Sequence, residues 1–225
     1  MKNVGGSTLK INNATIDFSG DGLWTRGSNQ TSKWLFHTDG HNNYGSSTWV
    51  LGSGTNINLL GKNLMMYTSQ YHGYSHDHST IGFVNDGATI TSTGDSNKVW
   101  VGLSESAYND NRFMYFYNKA GSINLGGKEN VFSYIDIPLT GNGGAQYGFT
   151  IKNDADINLT GDKDFGIIVA SGREYSNSEI LLNKPISVKG SNSVGILFNG
   201  SWADLNGGSS RVKSSANNEV TDFYP

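Results

Sequence analysis

The 225-residue chain is predicted to be all-β, folded as a right-handed single-stranded parallel β-helix (a solenoid) with irregular loop insertions. Three observations carry that expectation. A strand-like phrase closed by glycine recurs six times, further strand-like runs flank it on both sides, and no segment has convincing helical periodicity. The 30 glycines supply turns, while 3 prolines are too few for a collagen-like or proline-rich linker protein.

The phrase reads Ile16-Asp17-Phe18-Ser19-Gly20, Ile57-Asn58-Leu59-Leu60-Gly61, Ile90-Thr91-Ser92-Thr93-Gly94, Ile123-Asn124-Leu125-Gly126-Gly127, Ile157-Asn158-Leu159-Thr160-Gly161 and Ile186-Ser187-Val188-Lys189-Gly190. Its closing glycines are 41, 33, 33, 34 and 29 residues apart, so a fixed core is separated by connections of variable length. Apolar and polar residues alternate within it, as in a half-buried strand. Ile157 and Leu159 are expected inside, Asn158 and Thr160 outside, and Gly161 in a tight turn that a side chain would restrict. Ser92 replaces the second apolar residue of the third copy, which is expected to be the least well packed layer.

Upstream strands are expected at 81–85, 114–118, 147–151 and 180–183, and downstream strands at 64–67, 99–103, 131–135, 165–169 and 194–198. One unit of three strands cannot bury its apolar side alone, but stacked units cover one another and share backbone hydrogen bonds. The ends of such a stack need caps. Six units at roughly 4.8 Å per layer span about 30 Å. A β-sandwich also uses many short strands, but it predicts no phrase repeated at register spacing. The chain therefore reads as one segment over 1–225 of about six irregular units. Insertions fall at 24–49, 70–80 and 104–112, and a frayed or truncated end at 205–225.

Aromatic residues make up 12% and Ile/Leu/Val clusters recur, which argues against disorder. The formal net charge of −3 comes with no concentrated basic face, so nucleic acid is not an expected partner. Without cysteine, stability has to come from packing and hydrogen bonds. No apolar stretch approaches membrane-spanning length. Met1 to Ser7 lack the basic start and apolar run of a signal peptide, so the chain reads either as cytoplasmic or as an excised segment behind an added Met1.

The units at 155–167 and 186–196, each an Ile/Val strand, a glycine turn and then Asn-Ser-Val-Gly-Ile or a close variant, resemble passenger repeats of large fusobacterial autotransporter (type V secreted) adhesins. The best match covers 155–198, with looser copies back to residue 14. That resemblance implies a cell-surface passenger, carried to the outer membrane by a C-terminal β-barrel that this sequence does not include. It implies attachment to host cells or other bacteria by non-catalytic binding to a surface protein or glycan, with no cofactor. The segment itself is expected to be monomeric, and no family catalytic residue transfers to it.

Irregular loops on a rigid scaffold are where binding is expected. The stretch from Trp24 to Trp49 holds Trp34, Phe36, His37, His41 and Tyr44; it reads as a cap over the N-terminal end, and Trp34, His37 and Tyr44 as a partner-contacting surface. The stretch from Gln70 to His78 gathers His72, His76, Asp77 and His78, suitable ligands for a first-row metal. Their spacing matches no strong metal motif, so no metal is assigned, and Tyr71 and Tyr74 become carbohydrate or protein contacts. The stretch from Ser104 to Arg112 contains Glu105, Asp110 and Arg112, candidates with Asp77 for a polysaccharide lyase or glycosidase, and also Tyr108, a candidate contact. No two acids recur at unit register, so no catalytic residue is assigned. A phage tail-spike is a further alternative, one that would use trimer contacts and an apolar outer strip. Asp154, Asp156, Asp162, Lys163 and Asp164 suggest calcium, yet without the nonapeptide pattern of calcium-binding rolls they read as solvent-facing turn charges. Finally, alternation puts Val99, Val101 and Leu103 on one face and Trp100 on the other, an outward Trp suited to binding.

Overall fold

The computed structural model describes residues 2–3, 7–19, 34–39, 47–70, 79–104, 112–136, 147–170, 178–198 and 211–214. Every regular element among them is a strand: β1 (Lys2–Asn3), β2 (Thr8–Ile11), β3 (Thr15–Phe18), β4 (Trp34–Asp39), β5 (Ser47–Gly52), β6 (Asn56–Leu59), β7 (Leu64–Gln70), β8 (Ser79–Ser92) and β9 (Lys98–Ser104). The series continues with β10 (Arg112–Leu125), β11 (Val131–Asp136), β12 (Tyr147–Asn153), β13 (Asp156–Leu159), β14 (Phe165–Val169), β15 (Glu179–Leu182), β16 (Ile186–Val188), β17 (Val194–Phe198) and β18 (Arg211–Ser214). The fold is all-β, in two parallel sheets of seven and eleven strands.

The recurring phrase forms one continuous column. Ile16, Ile57, Ile90, Ile123, Ile157 and Ile186 are successive register partners, and Phe18, Leu59, Ser92, Leu125, Leu159 and Val188 run beside them. The inner members of both columns are buried, Ser92 included. Ser92 exchanges apolar contact for hydrogen bonds, accepting from Asn97 Nδ2 at 2.9 Å and donating to Asn130 Oδ1 at 3.1 Å. A second ladder, β2-β5-β8-β10-β12-β15-β18, brings Leu9, Trp49, Phe83, Phe116, Ile151 and Ile180 into register. The seven-stranded sheet, β1-β4-β7-β9-β11-β14-β17, supplies the third. The core lies between the sheets: Phe116 packs on Phe83 at 5.0 Å between ring centroids and edge-on to Phe132 at 4.9 Å.

Two sequence expectations change. The stretch 24–49, read as an insertion, contains β4 and the start of β5, regular members of the ladders. The run Trp34-Leu35-Phe36 lacks period-two alternation, which hid it. Second, the upstream strand and the phrase are fused in β8 and β10, 14 residues each, where two strands had been expected. Within 205–225, read as a frayed end or part of a further unit, Arg211–Ser214 pairs in parallel with β15. The chain bends within β8 and β10 without leaving the sheet, through positive-φ glycines (Gly87, φ 116; Gly121, φ 89) and register shifts between Asn118 and Ser122. Side chains hold the bend. Asn85 Oδ1 accepts from Ala88 N at 2.9 Å, Asn85 Nδ2 donates to Asn118 Oδ1 at 2.9 Å, Asn118 Nδ2 to Asn153 Oδ1 at 2.7 Å, and Asn153 Nδ2 to the Lys184 carbonyl at 2.6 Å. Asn85, Asn118 and Asn153 are fully buried, so each amide needs these partners.

Most of the closing glycines do a different job from the one expected. Gly127 does have positive φ (100), but Gly94, Gly161 and Gly190 do not; left-handed residues sit two places later, at Ser96, Glu129, Lys163 and Asn192. What requires glycine is close approach to the unit below. A Cβ on Gly94 would lie 2.8 Å from the Leu60 carbonyl, one on Gly127 2.5 Å from the Gly94 carbonyl, and those on Gly161 and Gly190 deep inside contact with the carbonyls of Gly127 and Gly161. Neighbouring Gly126 has no such constraint, since an added Cβ meets nothing nearer than 3.5 Å. Gly161→Ala should therefore cost about 1–3 kcal/mol, on the scale of an overpacked site, while Gly126→Ala leaves stability near that of the parent. Chemical denaturation of both variants checks the contrast.

Candidate binding surface

Of the residues expected to contact a partner, the structure places three. Trp34 is half-buried with its ring 4.8 Å from that of His37, and His37 is only 6% exposed. The His37 carbonyl accepts from Trp49 Nε1 at 3.1 Å, and Trp49 packs on Phe36 at 4.9 Å, so this cluster belongs to the packed body. Trp100 is 0% exposed, which overturns its outward placement. Its Nε1 donates to Thr68 Oγ1 at 2.9 Å and its ring lies 5.6 Å from Phe116. The parity argument failed for a local reason. From β4 onward along the seven-stranded sheet, the second residue of each strand (Leu35, Met65, Val99, Phe132, Gly166, Gly195) drops out of the register. That interruption lets consecutive residues face inward, and Met65 with Met66 and Val99 with Trp100 all enter one core.

Tyr44, Tyr71, Tyr74 and Tyr108 lie outside the described residues, as do His41, His72, His76, Asp77, His78, Glu105 and Asp110. The described strands still locate where their segments depart. Residues 40–46, 71–78, 105–111, 137–146 and 171–177 each join a strand of the seven-stranded sheet to the next strand of the eleven-stranded one. Ser79, Arg112 and Tyr147, which follow three of them, are register partners. The variable connections thus rejoin the sheets along one edge. Among the described residues, no group of three His, Cys, Asp or Glu side chains is placed to hold a metal.

Beside that edge lies an outer face that sequence reasoning passed over. With Met114 and Phe116 inward, Tyr115 and Tyr117 point out; the alternation in Met114-Tyr115-Phe116-Tyr117 was the available signal. The Tyr115 ring lies across Gly82 in the preceding unit, in space a Cβ there would take, and its hydroxyl is 2.6 Å from Thr48 Oγ1 two units away. Tyr117 Oη donates to Asp154 Oδ2 at 2.5 Å, and Lys152 Nζ reaches Tyr117 Oη and Asp154 Oδ2, each at 3.2 Å. Asn183 Nδ2 completes the group by donating to Asp154 Oδ1 at 2.6 Å. Burial pushes the Asp154 carboxyl up, but the hydrogen bonds from Tyr117, Asn183 and Lys152 outweigh it and bring the group below its ordinary range. Lys152 is held above its ordinary value by Tyr117 first and Asp154 second. Next to this face the phrase strands display small polar groups, with Asn58 Nδ2 donating to Asp17 Oδ1 at 2.6 Å and Asn158 Nδ2 to Asn124 Oδ1 at 2.9 Å.

Asp164 is not a solvent-facing charge, as its sequence context had suggested. It is fully buried, accepting at Oδ1 from Asn130 N and at Oδ2 from Gly161 N, each at 2.9 Å. Comparison with known proteins finds no protein-family model, no curated protein and no solved structure that matches the chain.

Burial raises the Asp164 carboxyl above its ordinary value despite the opposing hydrogen bonds from Asn130 and Gly161. The folded state therefore favours the protonated acid. Its contribution to stability is complete below the ordinary aspartate range and is lost as pH rises through the raised value. In Asp164→Asn that component of the pH dependence should vanish, which thermal unfolding of both proteins across the acid range will show; parallel pH profiles would refute it.

Proposed function

We propose that the two parallel sheets are the walls of a right-handed single-stranded parallel β-helix, and that the chain is a segment of a surface-exposed autotransporter adhesin passenger. In this reading it supports attachment to host cells or other bacteria by non-catalytic binding of a surface protein or glycan. The observation that carries the proposal is the unit-to-unit register. The chain visits the phrase ladder, the seven-stranded sheet and the β2-β5-β8 ladder in fixed rotation, and each strand pairs only with its counterparts one unit before and after. Such a scaffold spends its apolar residues on its neighbours and leaves connections of any length at one edge, which suits a rod that presents loops. The resemblance of residues 155–198 to passenger repeats points the same way.

The contacts are assigned to Tyr44, Tyr71, Tyr74 and Tyr108 in the connections, together with the Tyr115–Tyr117 face. Tyrosine offers a large rigid contact with a polar tip. Fluorescently labelled chain should bind cultured epithelial cells or Gram-negative bacteria. The triple variant Tyr71→Ala/Tyr74→Ala/Tyr108→Ala should bind about ten-fold more weakly, a loss of about 1.4 kcal/mol, with an unchanged unfolding transition. Undiminished binding by the triple variant would move the contact elsewhere. Release of reducing sugar from bacterial polysaccharides would replace this reading with a polysaccharide-degrading one.

A further inference from the structure

We infer that the Tyr115–Tyr117 face is a carbohydrate subsite, shaped for a neutral oligosaccharide lying across adjacent units of the stack. The inference rests on the binding reading above and narrows its ligand to one chemical class.

One part of the subsite is a fixed aromatic platform. Gly82 and Tyr115 are register partners in β8 and β10, so the missing side chain leaves a gap on the outer face, and the Tyr115 ring fills it. Thr48, the next residue in that column, holds the phenol oxygen at 2.6 Å. The ring is therefore stretched along the sheet and tied at both ends. Tyr115 is nevertheless only half-buried, so ring surface stays open to solvent. An aromatic face carries negative charge density. The C–H groups on one side of a pyranose, polarised by the neighbouring oxygens, pack against such a face. A platform that is already rigid loses little entropy when they do.

Tyr117 follows on the same face, about 7 Å further along the strand, and anchors a hydrogen-bonding group. Lys152 Nζ bonds to Tyr117 Oη and to Asp154 Oδ2, which leaves its third N–H as a donor. Asp154 Oδ1 accepts from Asn183 Nδ2 and has room for a second donor. A donor and an acceptor thus stand side by side within reach of solvent, the Lys152 side chain being 34% and that of Asp154 25% exposed. Neighbouring hydroxyls of a sugar, each able to donate and to accept, match that pair.

Other ligand classes lack a counterpart here. Lys152 and Asp154 are both held in their charged forms and cancel, and Lys119 is paired with Asp86 at 3.0 Å. No surplus charge therefore attracts a phosphate, a sulfate or an acidic sugar. Strands β8, β10 and β12 are hydrogen-bonded on both sides, so an extended peptide finds no edge to join on this face.

The labelled 225-residue chain, applied to an array of neutral, sialylated and sulfated oligosaccharides, tests the inference. Neutral members should retain it, and the same sugar in solution should release it. Tyr115→Ala and Lys152→Met should each weaken retention about ten-fold. Because Lys152 lies at the surface, Lys152→Met should keep the parent's unfolding transition, and it decides the matter if Tyr115→Ala does not fold. Retention by acidic members alone, retention by none, or a Lys152→Met chain held as strongly as the parent overturns the inference. Mild periodate, which cleaves vicinal diols, should abolish binding of the chain to epithelial cells or bacteria. Cell binding that survives periodate overturns the sugar ligand and leaves adhesion standing. A chain retained by neutral sugars that binds no cell overturns adhesion alone.

Discussion

At the turn that follows the phrase, in four successive units, a backbone N–H points along the stack, where a side-chain oxygen of the following unit meets it; in three of them, at Ser96, Glu129 and Lys163, a left-handed residue comes just before it. Asn63 N donates to Asn97 Oδ1, Asn97 N to Asn130 Oδ1, Asn130 N to Asp164 Oδ1 and Asp164 N to Ser193 Oγ, each at 2.9 Å. Buried amides cannot be left without acceptors, so the chain makes this correct alignment a condition of folding. Everything else is registered by it. The closing glycine three residues before the ladder residue can approach the carbonyl below, the isoleucines fall into one column, and the third strand starts at the same height in each unit. The second unit reaches the same result with a turn one residue shorter, from Gly61 to Asn63, and has no left-handed residue there.

The parts of this arrangement that depend on local pattern were legible in the sequence. The six Ile positions, their inward face and the outward Asn124 and Asn158 follow from alternation over one strand's length. The parts that depend on residues one unit away were not. Asp164 looks like a surface charge beside Asp162 and Lys163, because its donor Asn130 lies 34 residues earlier. The closing glycines suggest turn flexibility, although it is a carbonyl of the previous unit that excludes their side chains. Trp100 was assigned to the wrong side because a break in register at Val99 resets parity inside one strand. The Tyr115–Tyr117 face had a readable signal that was not used, since strongly apolar neighbours drew attention to the core.

The same stacking shapes the chemistry of the outer faces. Side chains two residues apart on a strand, and at matching places in adjacent units, stand close enough to bond, so the exterior becomes a net of short polar links. Tyr117, Lys152, Asp154 and Asn183 belong to three units yet act as one group. Tyr115 bridges to Thr48 across an intervening unit in which glycine makes room for it. These links fix the tyrosines without burying them, leaving a rigid, partly aromatic surface next to the edge where the variable connections return.

Parallel ladders of this kind run their backbone hydrogen bonds along the axis of the stack. A pull applied between the first and last units therefore loads the layers one after another in series, and no layer is shielded by its neighbours. Rupture starts at whichever interlayer contact is weakest. The last layer, where Ile186 and Val188 are incompletely covered and serine replaces asparagine in the amide ladder, is poorly placed to resist. Under tension the chain should lengthen by shedding layers from an end, each release adding a unit's worth of slack while the aromatic centre around Phe116 stays shut.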